Sequence, residues 1–203
     1  MADETDLLND ALSQCAASSI TSISDGSINA NHCLRFYPPL RRSLLRMHHW
    51  NFAIKWVQLA QDVTPPVAQF SYAYTLPAEC LKVINYGGSA TAVTSLSLIY
   101  PDSGLRVIAR YKIEGRKLVS NDGTVYIQYI RDVTNPDEWD ASFYQVMSTW
   151  LASKLCMATS KDIKLSTGLL AQARDILLPL ATAVDGQEGS IEPYVVDDLL
   201  WGR

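Results

Sequence analysis

The sequence predicts an α+β protein in which helices from both ends of the chain form a bundle around an inserted antiparallel sheet region. Apolar residues recur every three or four positions before residue 50 and after residue 132, and they alternate with period two between these limits. The order of elements is therefore helices, strands, helices, with no internal repeat. We expect a helical domain at 1–49 and 133–189, a β-rich region at 50–132 and an extended C-terminal arm at 190–203.

Two helices are predicted in the N-terminal part of the chain. Asp3 and Thr5 can cap the first helix, and Ser27 can cap the second. The apolar face of the second helix is interrupted by Pro38 and Pro39. Because proline lacks the helical N–H and disfavours α geometry in the residue before it, we expect a sharp kink or two short helices there.

The inserted region is predicted to contain several short strands. Alternation begins at Trp50, with Phe52, Ile54 and Trp56 on the same side, and it returns at 70–76 and 96–100, with a shorter candidate at 81–86. Turn sequences at 114–115 and 121–123 predict a three-strand meander over 106–131. The stretch 125–130 is apolar on both faces, which indicates a central strand covered by the partner of the sheet on one side and by helices on the other.

Helices are predicted again from Asn135, which can cap a helix with Pro136 at its first position and Glu138 three residues after the cap. This helix runs to residue 158. A final helix, kinked by Pro179, follows before the acidic arm. Its apolar stripe consists of Leu165, Leu169, Ala173, Ile176, Leu177, Leu180 and Val184.

Composition points to a chain that shares its surface with a partner. Only 19% of its 203 residues are charged, against about 25% in an average soluble domain. The net charge of −4 gives no electrostatic case for coating nucleic acid. Four cysteines without a C-x-x-C pair, behind no signal peptide, predict reduced, buried thiols in a protein of the cytosol. Uninterrupted apolar runs are too short to predict a membrane span.

Catalytic and metal-binding patterns are absent from the sequence. His48 and His49 are adjacent and point in different directions, and His32 stands alone, so we predict no metal site, no cofactor and no enzyme. A pair of carboxylates for sugar hydrolysis is an alternative, although the helix dipole also explains acids at a helix start. The candidate carboxylates are Asp132, Asp137, Glu138 and Asp140.

Charge is distributed in blocks along the chain. No acid lies between Asp25 and Asp62, whereas Arg35, Arg41, Arg42, Arg46 and Lys55 fall inside that stretch, and a second basic zone covers 106–117. The segment 185–198 carries five acids and no base. Such segregation favours pairing between copies or docking on an oppositely charged partner. Solvated faces that happen to be blocky are the alternative.

Several stretches, in the same order along nearly the whole chain, resemble the head-to-tail adaptor family of short-tailed bacteriophages, the tail tubular protein A type of connector. In the first half they are Cys33-Leu34-Arg35-Phe36-Tyr37, Leu44-Leu45, Trp50-Asn51-Phe52-Ala53, Leu59-Ala60 and Tyr74-Thr75-Leu76-Pro77-Ala78-Glu79-Cys80-Leu81-Lys82-Val83. In the second half they are Tyr126-Ile127-Gln128-Tyr129-Ile130, the helix 137–158 and the stretch 171–188. None of these is a catalytic motif.

The resemblance implies a virion structural protein, made in the host cytoplasm and located at the head-tail junction. Such a protein forms a twelve-membered ring that binds the portal protein on one side and the tail nozzle protein on the other. Genomic double-stranded DNA passes through its lumen without specific binding. The arm is then expected to dock on a neighbouring subunit or on the portal, because large apolar side chains carry most interface energy. Its expected anchors are Tyr194, Leu199, Leu200 and Trp201.

Two other functions stay open from the sequence. Some members of the adaptor family have been proposed to degrade cell-wall or capsular polysaccharide, which makes a tail-associated hydrolase the alternative function. A cellular α+β scaffold is the third possibility.

Overall fold

The computed structural model describes residues 3–88 and 111–188, and over these residues the protein is α+β, as predicted. The described residues form two compact units. Unit 1 comprises 3–41, 50–52 and 135–188, and unit 2 comprises 42–49, 53–88 and 111–134. The predicted strand at 96–100, the first residues of the predicted meander and the arm at 190–203 lie outside the described residues.

The helices are α1 (Glu4–Gln14), α2 (Ile28–Met47), α3 (Ala141–Thr159), α4 (Ile163–Ala171) and α5 (Leu178–Glu188), with a π-helical turn at Gln172–Leu177 and 3-10 turns at Asn51–Ala53 and Pro136–Glu138. The strands are β1 (Ile54–Leu59), β2 (Tyr72–Thr75), β3 (Cys80–Gly88), β4 (Tyr111–Glu114), β5 (Lys117–Ser120) and β6 (Val125–Arg131). They form two antiparallel sheets in unit 2, in the orders β1-β6-β3 and β2-β5-β4.

The predicted starts of the first two helices are confirmed. Asp3 caps α1, because its backbone N–H donates to Asp6 Oδ2 at 3.0 Å while its own carboxylate accepts from the backbone of the first turn. Ser27 caps α2 by accepting from the N–H of Ala30 at 3.1 Å. Helix α1 then buries Leu7, Leu8, Ala11 and Leu12 in unit 1.

The division of α2 into two short helices is wrong. The helix runs for 20 residues with both prolines inside it. Pro38 and Pro39 have no N–H, so the carbonyls of Leu34 and Arg35 lack their usual intrahelical donors. Leu34 and Arg35 are both exposed. Because water can reach those carbonyls, the loss of two intrahelical bonds is less costly than it is in a buried helix.

The predicted start of the strands at Trp50 is also wrong. Asn51–Ala53 is a 3-10 turn, and β1 begins at Ile54. Trp50 and Phe52 lie in unit 1, where both rings make edge contacts with Phe143 of α3, at centroid distances of 4.9 and 5.1 Å. Trp56, by contrast, is 57% exposed. The alternating pattern therefore continues across the point where the chain passes from one unit to the other.

Strand β6 is central in its sheet, as predicted, with β1 and β3 on either side. Val125, Ile127 and Tyr129 point into the core of unit 2. Tyr126 on the other face is 44% exposed. The expectation that helices cover this face is therefore wrong at Tyr126. The candidates at 70–76 and 81–86 correspond to β2 and β3.

The predicted meander over 106–131 breaks at its second turn. Strands β4 and β5 form the expected hairpin, with Gly115 at φ +61° in its turn. After β5 the chain enters the other sheet, because the side chains of Asn121 and Asp122 bond outside the turn. Asn121 Oδ1 accepts from the N–H of Ser71 at 2.9 Å, and Asp122 accepts from the hydroxyl of Tyr86. The turn therefore joins two sheets.

The helix predicted from Asn135 begins five residues later than expected. Asn135 caps only the 3-10 turn Pro136–Glu138, and Asp140 caps α3 by accepting from the N–H of Ser142 at 2.9 Å. Trp139 lies between the two caps in an extended conformation, with its ring perpendicular to that of Phe143 at 5.0 Å. Burial of this tryptophan favours a break in the helix at this position.

Candidate assembly surface

The residues predicted as assembly anchors, Tyr194, Leu199, Leu200 and Trp201, lie outside the described residues. The described part of unit 1 carries a second apolar surface that the sequence analysis did not select. It lies on the outer face of the last helical segment. We define the outer stripe as Ile176, Pro179, Leu180, Ala183 and Val184, all of which are exposed.

The outer stripe follows helical spacing. Ile176, Leu180 and Val184 are four residues apart, and 56%, 60% and 44% of their surfaces are exposed. Residues four apart lie above one another on a helix, so the three side chains form one continuous ridge. No residue from 176 to 184 is charged. Scattered exposed apolar residues are ordinary, but an uncharged ridge of this length indicates a contact surface.

This arrangement corrects the predicted stripe of the last helix. The predicted stripe has Ala173, Ile176, Leu180 and Val184 on one core-facing side. In unit 1, Ala173 is buried as predicted, together with Ala181 and Asp185, whereas Ile176, Leu180 and Val184 face outward. An ideal α-helix has 3.6 residues per turn, and the wider π-helical turn at Gln172–Leu177 changes the phase of the pattern.

Pro179 supports the irregular turn. The sequence analysis expected a kink at this proline, and the regular α pattern is interrupted immediately before it. Pro179 has no N–H, so it cannot donate to the carbonyl of Asp175 in the α-helical pattern. Arg174 and Asp175 are exposed and bind each other, with Nε to Oδ1 at 2.7 Å. The two charges beside the stripe therefore largely neutralise one another.

The orientation of α5 is fixed by a polar contact on its buried side. Asp185 Oδ1 accepts from the N–H of Asn51 at 2.9 Å, and Asn51 Nδ2 donates to the carbonyl of Asp185 at 2.7 Å. A buried carboxylate is costly unless it is hydrogen-bonded, so this reciprocal pair specifies one rotation of the helix. With Asp185 inward, Leu180 and Val184 point away from the core of unit 1.

A cleft of about 650 Å³ lies between α1 and the start of α3 in unit 1, lined in part by Asp10, Asp137, Trp139 and Tyr144. The hydroxyl of Tyr144 donates to Asp10 Oδ2 at 2.7 Å. Burial and the neighbouring carboxylate of Asp10 raise the pKa of Tyr144 above its ordinary value. The phenol is therefore protonated at neutral pH, and it acts as a hydrogen-bond donor.

The four carboxylates considered for sugar hydrolysis have different surroundings. Asp132, in unit 2, accepts from Arg42 Nε at 2.8 Å, and Asp140 caps α3. Asp137 and Glu138 are both exposed, in the 3-10 turn of unit 1, and Asp137 also lines the cleft. Asp132 and Asp140 thus each have a structural contact on one carboxylate oxygen.

Unit 2 carries a cluster of cations around the start of β3. Lys55 Nζ donates to Glu79 Oε1 at 3.1 Å, and Lys82 Nζ lies 3.1 Å from His49 Nε2. Arg131 pairs with Cys80 in the sheet, and Arg116 donates to the carbonyl of Ala78 at 3.1 Å. We define the basic cluster as Arg42, Arg46, Lys55, Lys82, Arg116 and Arg131.

The cations of this cluster affect the pKa values of two neighbouring groups, Glu79 and Cys80. A hydrogen bond from Tyr129 is the main cause that lowers the pKa of Glu79 below its ordinary value, and Lys55 and Arg131 lower it further. Burial raises the pKa of Cys80, while Arg116 and Arg46 act in the opposite direction. Five cations of the cluster thus lie around Glu79–Lys82. The sixth, Arg42, binds Asp132, and the N–H of Asp132 donates to the carbonyl of Glu79 at 2.8 Å.

The cysteines are free and buried, as predicted from their spacing. Burial raises the pKa of Cys33 to about 11, so this thiol is protonated at neutral pH. Cys15 Sγ donates to the carbonyl of Ala152 at 3.0 Å. Among residues 3–88 and 111–188, no three His, Cys, Asp or Glu side chains are grouped to hold a metal ion. Over the same ranges, no helix is both long and apolar enough to cross a bilayer.

Comparison with known proteins adds no relative to this picture. No protein-family model matches the chain, and no curated protein matches it significantly.

The outer stripe could have been suspected from the sequence by one pattern. Residues 176–184 form an uncharged run that is bounded by Asp175 on one side and Asp185 on the other. An acid that is buried and bonded takes a core position, and it shifts the neighbouring apolar residues outward. The predicted stripe includes Ile176, Leu180 and Val184 in the core face and omits Asp185.

Proposed function

We propose that this protein is a virion structural protein, a head-to-tail adaptor of a short-tailed bacteriophage. In this proposal, twelve copies form a ring between the portal protein and the tail nozzle protein at the head-tail junction. The ring surrounds the exit channel, and double-stranded DNA passes through without specific binding. The finer architecture belongs to the same proposal: a helical bundle from both chain ends, and an extended arm at 190–203.

The outer stripe is the observation that carries this proposal. Ile176, Leu180 and Val184 present an uncharged ridge to solvent on a helix whose rotation is fixed by Asp185. A protein that works alone gains nothing from such a ridge, which favours association and precipitation. In a ring, the same ridge is covered by the next copy, and its burial stabilises the assembly.

The charge balance and the absence of a metal-ligand pattern in the sequence favour a structural role over a catalytic one. The chain has few charged residues for its size, and its cations and acids lie in separate segments. Rings with one repeated contact join two different faces of each copy, so segregated charge suits them. In such an assembly the arm supplies an additional contact, with Tyr194, Leu199, Leu200 and Trp201 as its anchors.

The proposal is tested by mass measurement in solution, with and without the portal protein encoded in the same genome. We expect the full chain to bind the portal and to give rings that electron microscopy resolves. Deletion of 191–203 should leave a folded chain that binds less well. A matched variant of full length, with Tyr194, Leu199, Leu200 and Trp201 replaced by Ser, separates loss of the anchors from loss of length.

The outcomes separate the two functions. A chain that does not bind the portal under any salt condition contradicts the adaptor role. Unchanged assembly by both arm variants contradicts the role of the arm. Release of sugars from cell-wall or capsular polysaccharide, lost in Asp137→Asn and retained in Asp175→Asn, would instead support the hydrolase alternative, because only Asp137 of this pair lines the cleft.

A further inference from the structure

The basic cluster of unit 2 carries an excess of positive charge. It contains six cations, and the carboxylates bonded to it include those of Glu79 and Asp132. Surface ion pairs are individually weak, but several like charges close together attract an oppositely charged partner. The chain as a whole has a charge of −4, so this excess is local.

Two cations of the basic cluster are poorly compensated. Arg46 makes no ion pair with any residue in the described ranges, and it is exposed. Lys82 Nζ contacts the ring of His49, and burial, Lys82 and His48 all lower the pKa of that histidine. A neutral imidazole accepts a hydrogen bond from Lys82 but supplies no negative charge. Both cations are therefore available to a further acid.

The basic cluster already binds carboxylates in two places. Asp132 accepts from Arg42 at 2.8 Å, and Glu79 accepts from Lys55 at 3.1 Å and from the hydroxyl of Tyr129 at 2.6 Å. Four of its six cations are arginines, whose planar forks match carboxylates well. These contacts show the geometry that an incoming aspartate or glutamate would use.

The complementary charge is present elsewhere in the same sequence. The segment 186–202 contains four acids and no Lys or Arg, which gives a formal charge of −4. Its acids are Glu188, Glu192, Asp197 and Asp198. Glu188 is exposed at the last position of α5, where the helix dipole is negative. An acid at that position does not stabilise the helix.

We propose that the basic cluster of one copy binds the acidic segment 186–202 of a neighbouring copy. This inference rests on the proposed ring, for which it names one subunit contact. The opposite signs of charge on the basic cluster and on this segment favour this occupant over nucleic acid, because the remainder of the acidic chain repels a polyanion. The ten residues that follow Glu188, up to Asp198, can span at most about 35 Å.

The test uses charge reversal in the full chain. One variant carries Arg46→Glu and Lys82→Glu, and the other carries Glu192→Lys and Asp197→Lys. We expect each variant alone to self-associate at least about tenfold less well than the natural sequence at about 0.1 M salt. An equimolar mixture should recover association, because each reversed surface then meets a complementary one on the other variant. Native mass spectrometry identifies the mixed species.

A control variant reverses two exposed cations outside the basic cluster, Arg35→Glu and Lys154→Glu. This variant should associate like the natural sequence, and circular dichroism should show that every variant is folded. Because the exposed side chains of Arg46 and Lys82 contribute little to the core, loss of folding is not expected in the cluster variant.

Three results would overturn the inference. The first is unchanged self-association of either reversed variant, or a natural chain that stays monomeric at its highest soluble concentration. The second is recovery only when both reversals are in one chain, which indicates docking within a single copy. The third is loss of binding to a duplex DNA probe by the cluster variant, with self-association unaffected, which indicates a nucleic-acid surface.

The failure of this inference can be told apart from the failure of the proposed function. If the natural chain forms rings on the portal and both reversed variants do the same, the adaptor role stands and the contact proposed here is wrong. If self-association depends on the two charge sets as described but no portal is bound, the contact stands and the adaptor role is wrong.

Discussion

Replacement of Leu180 by Lys should prevent assembly without unfolding the chain. Leu180 is the middle residue of the outer stripe, and 60% of its surface is exposed. Lysine has nearly the same helix propensity as leucine, and its methylene chain can cover the part of the helix that leucine covers now. The free energy of unfolding should therefore change by less than about 1 kcal/mol.

The effect on assembly is much larger. Full burial of a leucine side chain contributes about 1.5–3 kcal/mol, so covering the exposed 60% of Leu180 contributes about 0.9–1.8 kcal/mol in each contact. An unpaired ammonium group placed in the same contact adds a desolvation cost of a few kcal/mol. The sum is at least about 3 kcal/mol, or a loss of affinity of about a hundredfold or more.

Sedimentation velocity in the presence and absence of the portal measures this loss, and urea denaturation of the same samples measures folding. Leu34→Lys is the matched control, because Leu34 is 55% exposed on α2 and does not belong to the outer stripe. Assembly of Leu180→Lys at the natural affinity would refute the role of the stripe. An equal loss in Leu34→Lys would show that the effect is not local.

Three further predictions concern the parts of the structure that hold these surfaces in place. Phe143→Ala should lower the free energy of unfolding by about 3–5 kcal/mol, because the ring is fully buried among aromatic rings; a loss below about 1 kcal/mol in urea denaturation would contradict this packing. Asn51→Ala should cost about 1–3 kcal/mol and increase hydrogen exchange in α5, since it removes the side-chain donor to the carbonyl of Asp185 and leaves the backbone N–H on the carboxylate; unaltered exchange would count against this anchor. The pKa of Glu79 is lower in the folded chain than in the unfolded chain, so ionised Glu79 stabilises the fold at pH values above the unfolded pKa of about 4.3. This contribution is lost as the pH falls through the folded pKa. Tyr129→Phe removes the main cause of that shift, so its stability deficit relative to the natural sequence should be smaller at pH 3 than at pH 7, and a deficit independent of pH would argue against it.

The local capping residues could be recognised in the sequence because their effect depends on a few neighbouring residues. Asp3 and Ser27 cap α1 and α2 as expected, and Asn135 caps the turn directly after it. The hairpin turn at Gly115 belongs to the same class, since a positive φ is a property of one residue. Each of these predictions needed only a short window of sequence.

The errors arose where a distant contact decided the outcome. Trp50 and Phe52 match a strand pattern, but their rings pack with Phe143, about 90 residues away in the chain. The turn at 121–123 has a good hairpin sequence, but Asn121 bonds to Ser71 and the chain changes sheets. Periodicity reports which residues are apolar, and it does not report which partner buries them.

The sequence by itself determined the α+β class, the order of helices and strands, the buried free cysteines and the separation of acidic from basic segments. Only the tertiary structure decided which apolar residues form the core. Around the π-helical turn, Asp185 takes a buried position through its bonds to Asn51, and Ile176, Leu180 and Val184 consequently face outward. A buried polar group must have a partner, and that partner lies more than 130 residues away in the chain.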